Sequence, residues 1–191
     1  MSSRFLLLFF PFITTMGMAD DTSENRLLFT FSEADSARQW QTVNDGVMGG
    51  RSEGRFRINS ENRLEFFGNL SLANNGGFAS VRSRAAALNL RAGDSIVMKV
   101  RGDGREYTLN LYTPRRRTAF SYRAAFQTKK DEWTEITVPL SQFVATSFGR
   151  VVQNSPLQPG EVSSIGILLG DKKPGPFRLE IQSVGVRSAA R

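Results

Sequence analysis

The sequence contains no cysteine and no histidine in 191 residues. Those two absences exclude a thiolate nucleophile, a disulfide, a Cys/His zinc site, a histidine-ligated haem and a Ser-His-Asp triad. Without an imidazole to act as general base, catalysis would have to rest on carboxylates, lysine, tyrosine or a metal held by oxygens. The chain is therefore expected not to be an enzyme and to need no cofactor, while a metal ion held by oxygen ligands stays open. Long apolar runs are also missing. The one continuous stretch, Phe5–Ile13, is too short to cross a membrane as a helix and is interrupted by Pro11.

That stretch has the pattern of a secretory signal. Met1-Ser2-Ser3-Arg4 is a short positive n-region, Phe5–Ile13 an apolar h-region, and Gly17-Met18-Ala19 places small residues at the cleavage site. The Arg-rich amphipathic pattern of a transit peptide is not what stands here. The sequence thus divides into a signal peptide over 1–19, a short extension over 20–26, one domain over 27–186 and a tail over 187–191. Export follows as the expectation, with a periplasmic or secreted location.

What is present is ordinary globular composition: 40% hydrophobic and 23% charged residues, 17 glycines and 7 prolines. Collagen-like, low-complexity and wholly disordered classes are excluded, and the length suits one domain with a full core. Lys and Arg outnumber Asp and Glu by 25 to 18, a net charge of +7. Such a surface attracts anionic surfaces weakly. No nucleic-acid partner is expected, because no zinc module, helix-turn-helix or RNP pattern accompanies the charge.

From Leu27 onward, short alternating runs are punctuated by Gly, Asn, Asp and Pro. Strands are expected at Leu27–Phe31, Gly54–Ile58, Leu64–Leu70, Phe78–Ser83, Ser95–Arg101, Tyr107–Tyr112, Phe120–Thr128, Trp133–Val138, Ser164–Leu169 and Phe177–Val186. Ile96, Met98 and Val100 share one face, as do Tyr107, Leu109 and Leu111, then Ile165, Ile167 and Leu169, then Phe177, Leu179 and Ile181. Period-two alternation with one apolar face means half-buried antiparallel strands, and so many of them predict an all-β sandwich or jelly roll. One short helix is expected at Ser32–Trp40 and one turn at Pro139–Phe143. Gly102-Asp103-Gly104-Arg105 carries hairpin-turn chemistry, and Gly170–Pro176 joins the last two strands. Two connections are longer than turns require, Gln41–Ser52 and Val144–Val162, the second with a weaker strand signal at Arg150–Gln153, and long loops on a sandwich are where binding usually sits.

Several blocks are more specific than turn chemistry. They run, in order, Val43-Asn44-Asp45-Gly46-Val47-Met48-Gly49-Gly50-Arg51-Ser52, Phe67–Leu72, Asn75-Gly76-Gly77-Phe78-Ala79-Ser80-Val81-Arg82, Arg101–Tyr107, Trp133, Val138-Pro139-Leu140 with Phe143, Ile165-Gly166-Ile167 and Gly175–Ile181. In this order they resemble the complex I intermediate-associated protein family, over about Leu27 to Val186. The resemblance implies an antiparallel jelly roll of the galactose-binding type without catalytic function. The family's best-known members help to assemble respiratory complex I in mitochondria. Joined to the export pattern, it implies a binding or assembly-factor-like domain acting on an envelope protein. The alternative is an exported carbohydrate-binding module, with a carboxylate-based glycoside-active enzyme behind it.

The candidate binding loops hold Asn44, Asp45, Gly46, Met48, Gly49 and Gly50, then Gly76 and Gly77, with Arg82 and Asp171. Turn geometry alone would use the same glycines, and Asp45 caps its own backbone on that reading. Arg82 is expected to pair with Asp45 or Asp171, since the guanidinium fork locks carboxylates. All these residues are expected at one end of the sandwich. Tyr112 is the exposed aromatic beside the basic run Arg115, Arg116 and Arg117, which makes these four the candidate sugar or anion contacts. Trp40 and Trp133 read as core or rim. Asp45, Asp103, Glu106 and Asp171 are the acids a glycosidase would draw on.

Overall fold

The computed structural model describes residues 25–114 and 119–189. The expected signal segment 1–19 and the run Arg115–Arg117 lie outside the described residues. Numbered in chain order, six strands form one sheet: β1 (Asn25–Phe29), β3 (Glu53–Ile58), β4 (Leu64–Leu70), β6 (Ser95–Arg101), β9 (Trp133–Pro139) and β13 (Gly175–Arg187). Seven form the other: β2 (Trp40–Thr42), β5 (Ala79–Ser83), β7 (Glu106–Tyr112), β8 (Phe120–Gln127), β10 (Val144–Ser147), β11 (Arg150–Val151) and β12 (Ser164–Leu169). The first sheet runs β3-β4-β13-β6-β9, with β1 beside the C-terminal part of β13; the second runs β11-β10-β8-β7-β12-β5-β2.

Alternation places the core between the sheets. Ile96, Met98 and Val100 of β6 and Phe177, Leu179 and Ile181 of β13 face Tyr107, Leu109 and Leu111 of β7 and Ile165, Ile167 and Leu169 of β12; all are buried. In β13 strict alternation would turn Ser183 and Gly185 inward. A bulge between Ile181 and Ser183 resets the phase, so Val184 and Val186 remain in the core.

The structure corrects three expectations. The segment expected as a helix forms only a 3-10 turn, Ser36–Gln39, and Trp40 opens a strand instead. A nine-residue helix is below the length that nucleates well. Trp40 gains more by packing against Phe29 and Phe31, at 5.2 and 5.9 Å between ring centroids. The Gly102–Arg105 turn does not close a hairpin: β6 lies in the six-stranded sheet and β7 in the seven-stranded one. The Gly170–Pro176 segment crosses between sheets in the same way. Turn chemistry specifies how the chain reverses, not which sheet it enters next. Within the long Val144–Val162 connection, β10 and β11 form a hairpin through Phe148 and Gly149, both at positive φ.

Candidate functional site

The loop block that carried the family resemblance is organised around one carboxylate. Asp45 is completely buried. Its Oδ1 accepts the Ser52 N–H at 2.9 Å; its Oδ2 accepts the Ser52 hydroxyl at 2.6 Å and the N–H groups of Gly77 and Phe78 at 2.7 and 3.2 Å. The Ser52 hydroxyl accepts in turn from the Ser71 N–H at 3.1 Å. Asn44 donates to the Gly54 carbonyl at 2.9 Å. Three separate stretches, Asn44–Ser52, Ser71 and Gly77–Phe78, are thereby tied together.

Two glycines owe their identity to this carboxylate. A Cβ on Gly50 would lie 2.3 Å from the Asp45 Cγ, and one on Gly76 would lie 2.6 Å from its Oδ2. Their role is close packing on Asp45. Gly46 has open space where a side chain would go. With Asp45 turned inward, the loop presents Val47 and Met48 to solvent, 75% and 56% exposed, along with Leu72 at 43%.

Asp171 lies on the second sheet-crossing segment and does not meet Arg82. Arg105, on the first crossing segment, grips it through two bonds, Nε to Oδ2 at 3.0 Å and a terminal nitrogen to Oδ1 at 2.6 Å. Arg105 also donates to the carbonyls of Lys173 and Pro176. Asp103 completes the join by accepting from the Tyr107 hydroxyl and the Arg178 N–H. A Cβ on Gly170 would stand 3.6 Å from the Gly77 carbonyl oxygen and 3.8 Å from the Phe78 Cβ, so the Asp45 and Asp171 loops share one end of the sandwich. Arg82 does not join them. It stands farther along β5, and its guanidinium lies 3.5 Å from the ring centroid of Tyr112. The expected Arg82 pair with Asp45 or Asp171 is corrected: Asp45 is satisfied by backbone and Ser52, and Asp171 by Arg105. Arg105 and Ser52 are the residues that sequence reasoning missed. The signal for Ser52 was its place at the end of the specific block.

Both aspartates are held below the ordinary carboxylate range. For Asp45, burial resists ionisation, but bonds from the Ser52 hydroxyl and the N–H groups of Gly77, Ser52 and Phe78 outweigh it. For Asp171, burial is outweighed by the Arg105 hydrogen bond, the Lys173 N–H and the charges of both side chains. A folded pKa below the unfolded value of about 3.9 gives stability that is complete above that value and lost as pH falls through the folded one. The urea midpoint is therefore expected to be level from about pH 7 to 5 and to fall steeply below about pH 4. A midpoint unchanged down to about pH 2.5 would contradict this.

Among the described residues no group of three or more Asp and Glu side chains is placed to hold a metal ion. Of the four acids a glycosidase would draw on, Asp45, Asp171 and Asp103 each accept hydrogen bonds from their own chain.

A family model described as Complex I intermediate-associated protein 30 matches residues 29–181. The chain belongs to that family. It is 30% identical over 183 residues to the mitochondrial complex I intermediate-associated protein 30 of Mus musculus, covering 84% of this chain and 56% of the relative. To the Drosophila melanogaster protein of the same name it is 27% identical over 186 residues, covering 85% of this chain and 63% of the relative. The chain thus spans a little over half the length of these relatives. Among solved structures it resembles the family 11 carbohydrate-binding module of Clostridium thermocellum in complex with a β-1,3-1,4-mixed-linked tetrasaccharide. That likeness has a TM-score of 0.64 at 12% identity over 87% of this chain and 97% of the module. At that identity it speaks for the fold alone, which is an antiparallel, galactose-binding-like jelly roll, as the strand pattern and the family resemblance implied.

The family comparison also overturns the expected location. Both relatives are named as mitochondrial proteins, which points to mitochondria rather than to the periplasm or secretion. An envelope protein as partner loses its basis with that correction.

Proposed function

We propose that this chain is a non-catalytic binding domain that takes part in the assembly of respiratory complex I by holding a protein intermediate. The observation that carries the reading is the family match across 29–181, which includes the whole Asp45-centred loop. The chemistry of that loop agrees with it. A carboxylate saturated by its own chain offers nothing to a small ligand, whereas the loop it holds in place turns Val47 and Met48 outward as apolar contacts. The aromatic rings favour a protein partner over a sugar. Arg82 covers Tyr112, while Arg63 and Arg101 lie 4.8 and 5.2 Å from the Trp133 ring centroid, so neither ring offers a free platform.

The tagged full chain, expressed in its own cells, is expected to co-migrate with complex I intermediates on native gels. Val47→Asp with Met48→Asp is expected to abolish co-migration while shifting stability by less than about 0.5 kcal/mol, because both side chains are exposed. Titration calorimetry with the mixed-linked tetrasaccharide is expected to give no saturable heat. Absence of co-migration, or saturable sugar binding lost on Tyr112→Ala, would overturn the reading.

A further inference from the structure

The outer faces of the two sheets treat their arginines differently. On the six-stranded sheet three of the outward arginines have acids: Arg57 pairs with Glu65, Arg178 with Glu65 and Glu180 at 2.7 Å, and Arg101 with Glu180. On the seven-stranded sheet one row across the strands reads Gln41, Arg82, Gly166, Asn110, Arg123 and Val144. Its two arginines have no carboxylate partner among the described residues.

The row also brings these two charges towards each other. A Cβ on Gly166 would lie 3.0 Å from Cε2 of Tyr112, so the glycine lets that ring lean across β12. Arg82 reaches over from β5 to stack on the ring, and its buried Nε finds no hydrogen-bond acceptor among the described residues. From the other side Arg123 is held by a relay: its Nε donates to the Ser121 hydroxyl at 3.1 Å, which donates to the side-chain Oδ1 of the buried Asn110 at 3.1 Å. Burial and the charge of Arg82 both push the Arg123 pKa down, while Tyr112 pulls it up. Two guanidiniums fixed on one face, close enough for one charge to act on the other, partly desolvated and without a carboxylate among the described residues, form the positive half of an ion-pair site.

The rim identifies what kind of anion fits. Val144 is the cross-strand neighbour of Arg123, and a terminal nitrogen of Arg123 lies 3.9 Å from where a Cβ on Gly149 would stand. Val144, Phe148 and Val151 are 47%, 60% and 58% exposed at this edge. A free inorganic anion gains nothing from such a rim, whereas an acidic side chain with apolar neighbours matches both parts.

We propose that the outer face of the seven-stranded sheet receives a carboxylate side chain from an acidic, apolar-flanked segment of a partner protein, gripped by Arg82 and Arg123 beside Val144, Phe148 and Val151. The proposal rests on the protein-binding reading above and adds the partner's chemistry and a place for it away from the Asp45 loop.

The test is NMR titration of the full chain with arginine side chains labelled with nitrogen-15. The probe is a blocked peptide carrying two glutamates flanked by leucine and phenylalanine in a serine–glycine frame. Saturable shifts are expected at the Arg82 and Arg123 Nε–H signals and at the amides of Val144–Val151. Replacing the glutamates by glutamines, with the protein unchanged, is expected to weaken binding at least about tenfold. Arg82→Gln and Arg123→Gln are expected each to do the same, while the exposed Arg55→Gln on the other sheet does not. Inorganic phosphate at the peptide's concentration is expected to leave the peptide bound. Three results would overturn the proposal: no shift at these arginines, equal binding of the glutamine peptide, or displacement by equimolar phosphate, which would mean a small-anion site instead. Native-gel co-migration separates this from the function proposed above. If Arg82→Gln with Arg123→Gln still co-migrates with complex I intermediates, the docking face is wrong and the assembly reading stands. If the wild-type chain does not co-migrate yet binds the peptide as described, the assembly reading falls and the carboxylate site stands.

Discussion

Replacing Asp45 by alanine is expected to lower the free energy of unfolding by about 3–5 kcal/mol, because buried donors to a charged acceptor are left without a partner. Four donors lose their acceptor at once: the Ser52 N–H and hydroxyl and the N–H groups of Gly77 and Phe78. These donors belong to segments far apart in sequence, so the link between Ser52 and Gly77–Phe78 is lost and only backbone bonds such as Val43 N–H to the Ser80 carbonyl still tie the loop block to β5. Asp45→Asn keeps the shape and one acceptor but turns an NH2 group towards a donor, and is expected to cost about 2 kcal/mol. Ser52→Ala removes one donor and is expected to cost about 1 kcal/mol. Urea denaturation checks the series: the midpoint falls in the order serine, asparagine, alanine variant, with little change in slope. A loss under about 1 kcal/mol for Asp45→Ala would mean that water replaces the carboxylate, and the account of this loop would be wrong.

The second large effect is expected at the join between the two sheets. Arg105→Ala leaves the carboxylate of Asp171, only 5% exposed, without its cation. Breaking one side of a buried pair costs about 3–5 kcal/mol, most of it the uncompensated charge left behind. The Lys173 and Pro176 carbonyls lose their donor as well. Arg105→Lys is expected to recover less than half, because an ammonium cannot form the two-pronged contact. Asp171→Ala with Arg105→Ala is expected to cost clearly less than the sum of the single changes, since the double variant strands no charge. Additivity in that cycle would mean that the two side chains do not act as a pair.

The strands were largely legible before the structure. Leu64–Leu70, Ser95–Arg101 and Ser164–Leu169 begin and end where alternation placed them. Alternation works there because one face meets a continuous apolar layer and any slip would turn the whole set to water. It failed at Val144–Ser147, a short strand whose outer face carries a valine that no core requires, and read only a weak signal at Arg150–Gln153, where the two-residue edge strand Arg150–Val151 forms. It failed again at Ser32–Trp40, where local helix signals lost to the burial of a single tryptophan. For the candidate site, the Asn44–Ser52 block was visible as unusual in the sequence. Whether its aspartate faced a ligand or its own backbone was not, because glycine-rich loops of either kind read alike.

By itself, then, the sequence determined the chemistry this chain lacks, the all-β class with its inward faces, and the family to which it belongs. These follow from composition, from period-two patterning and from motif order, all of which are local or linear properties. Pairing was decided only in three dimensions. Arg82 stood closer in sequence to Asp45 than Arg105 did to Asp171, yet it was the second pair that formed. Two sheet-crossing segments brought Arg105 and Asp171 together, while Gly166 opened a gap through which Tyr112 drew Arg82 away. Side-chain partners depend on which strands are neighbours and on where a missing Cβ leaves room. Neither quantity is written at any one position of the chain.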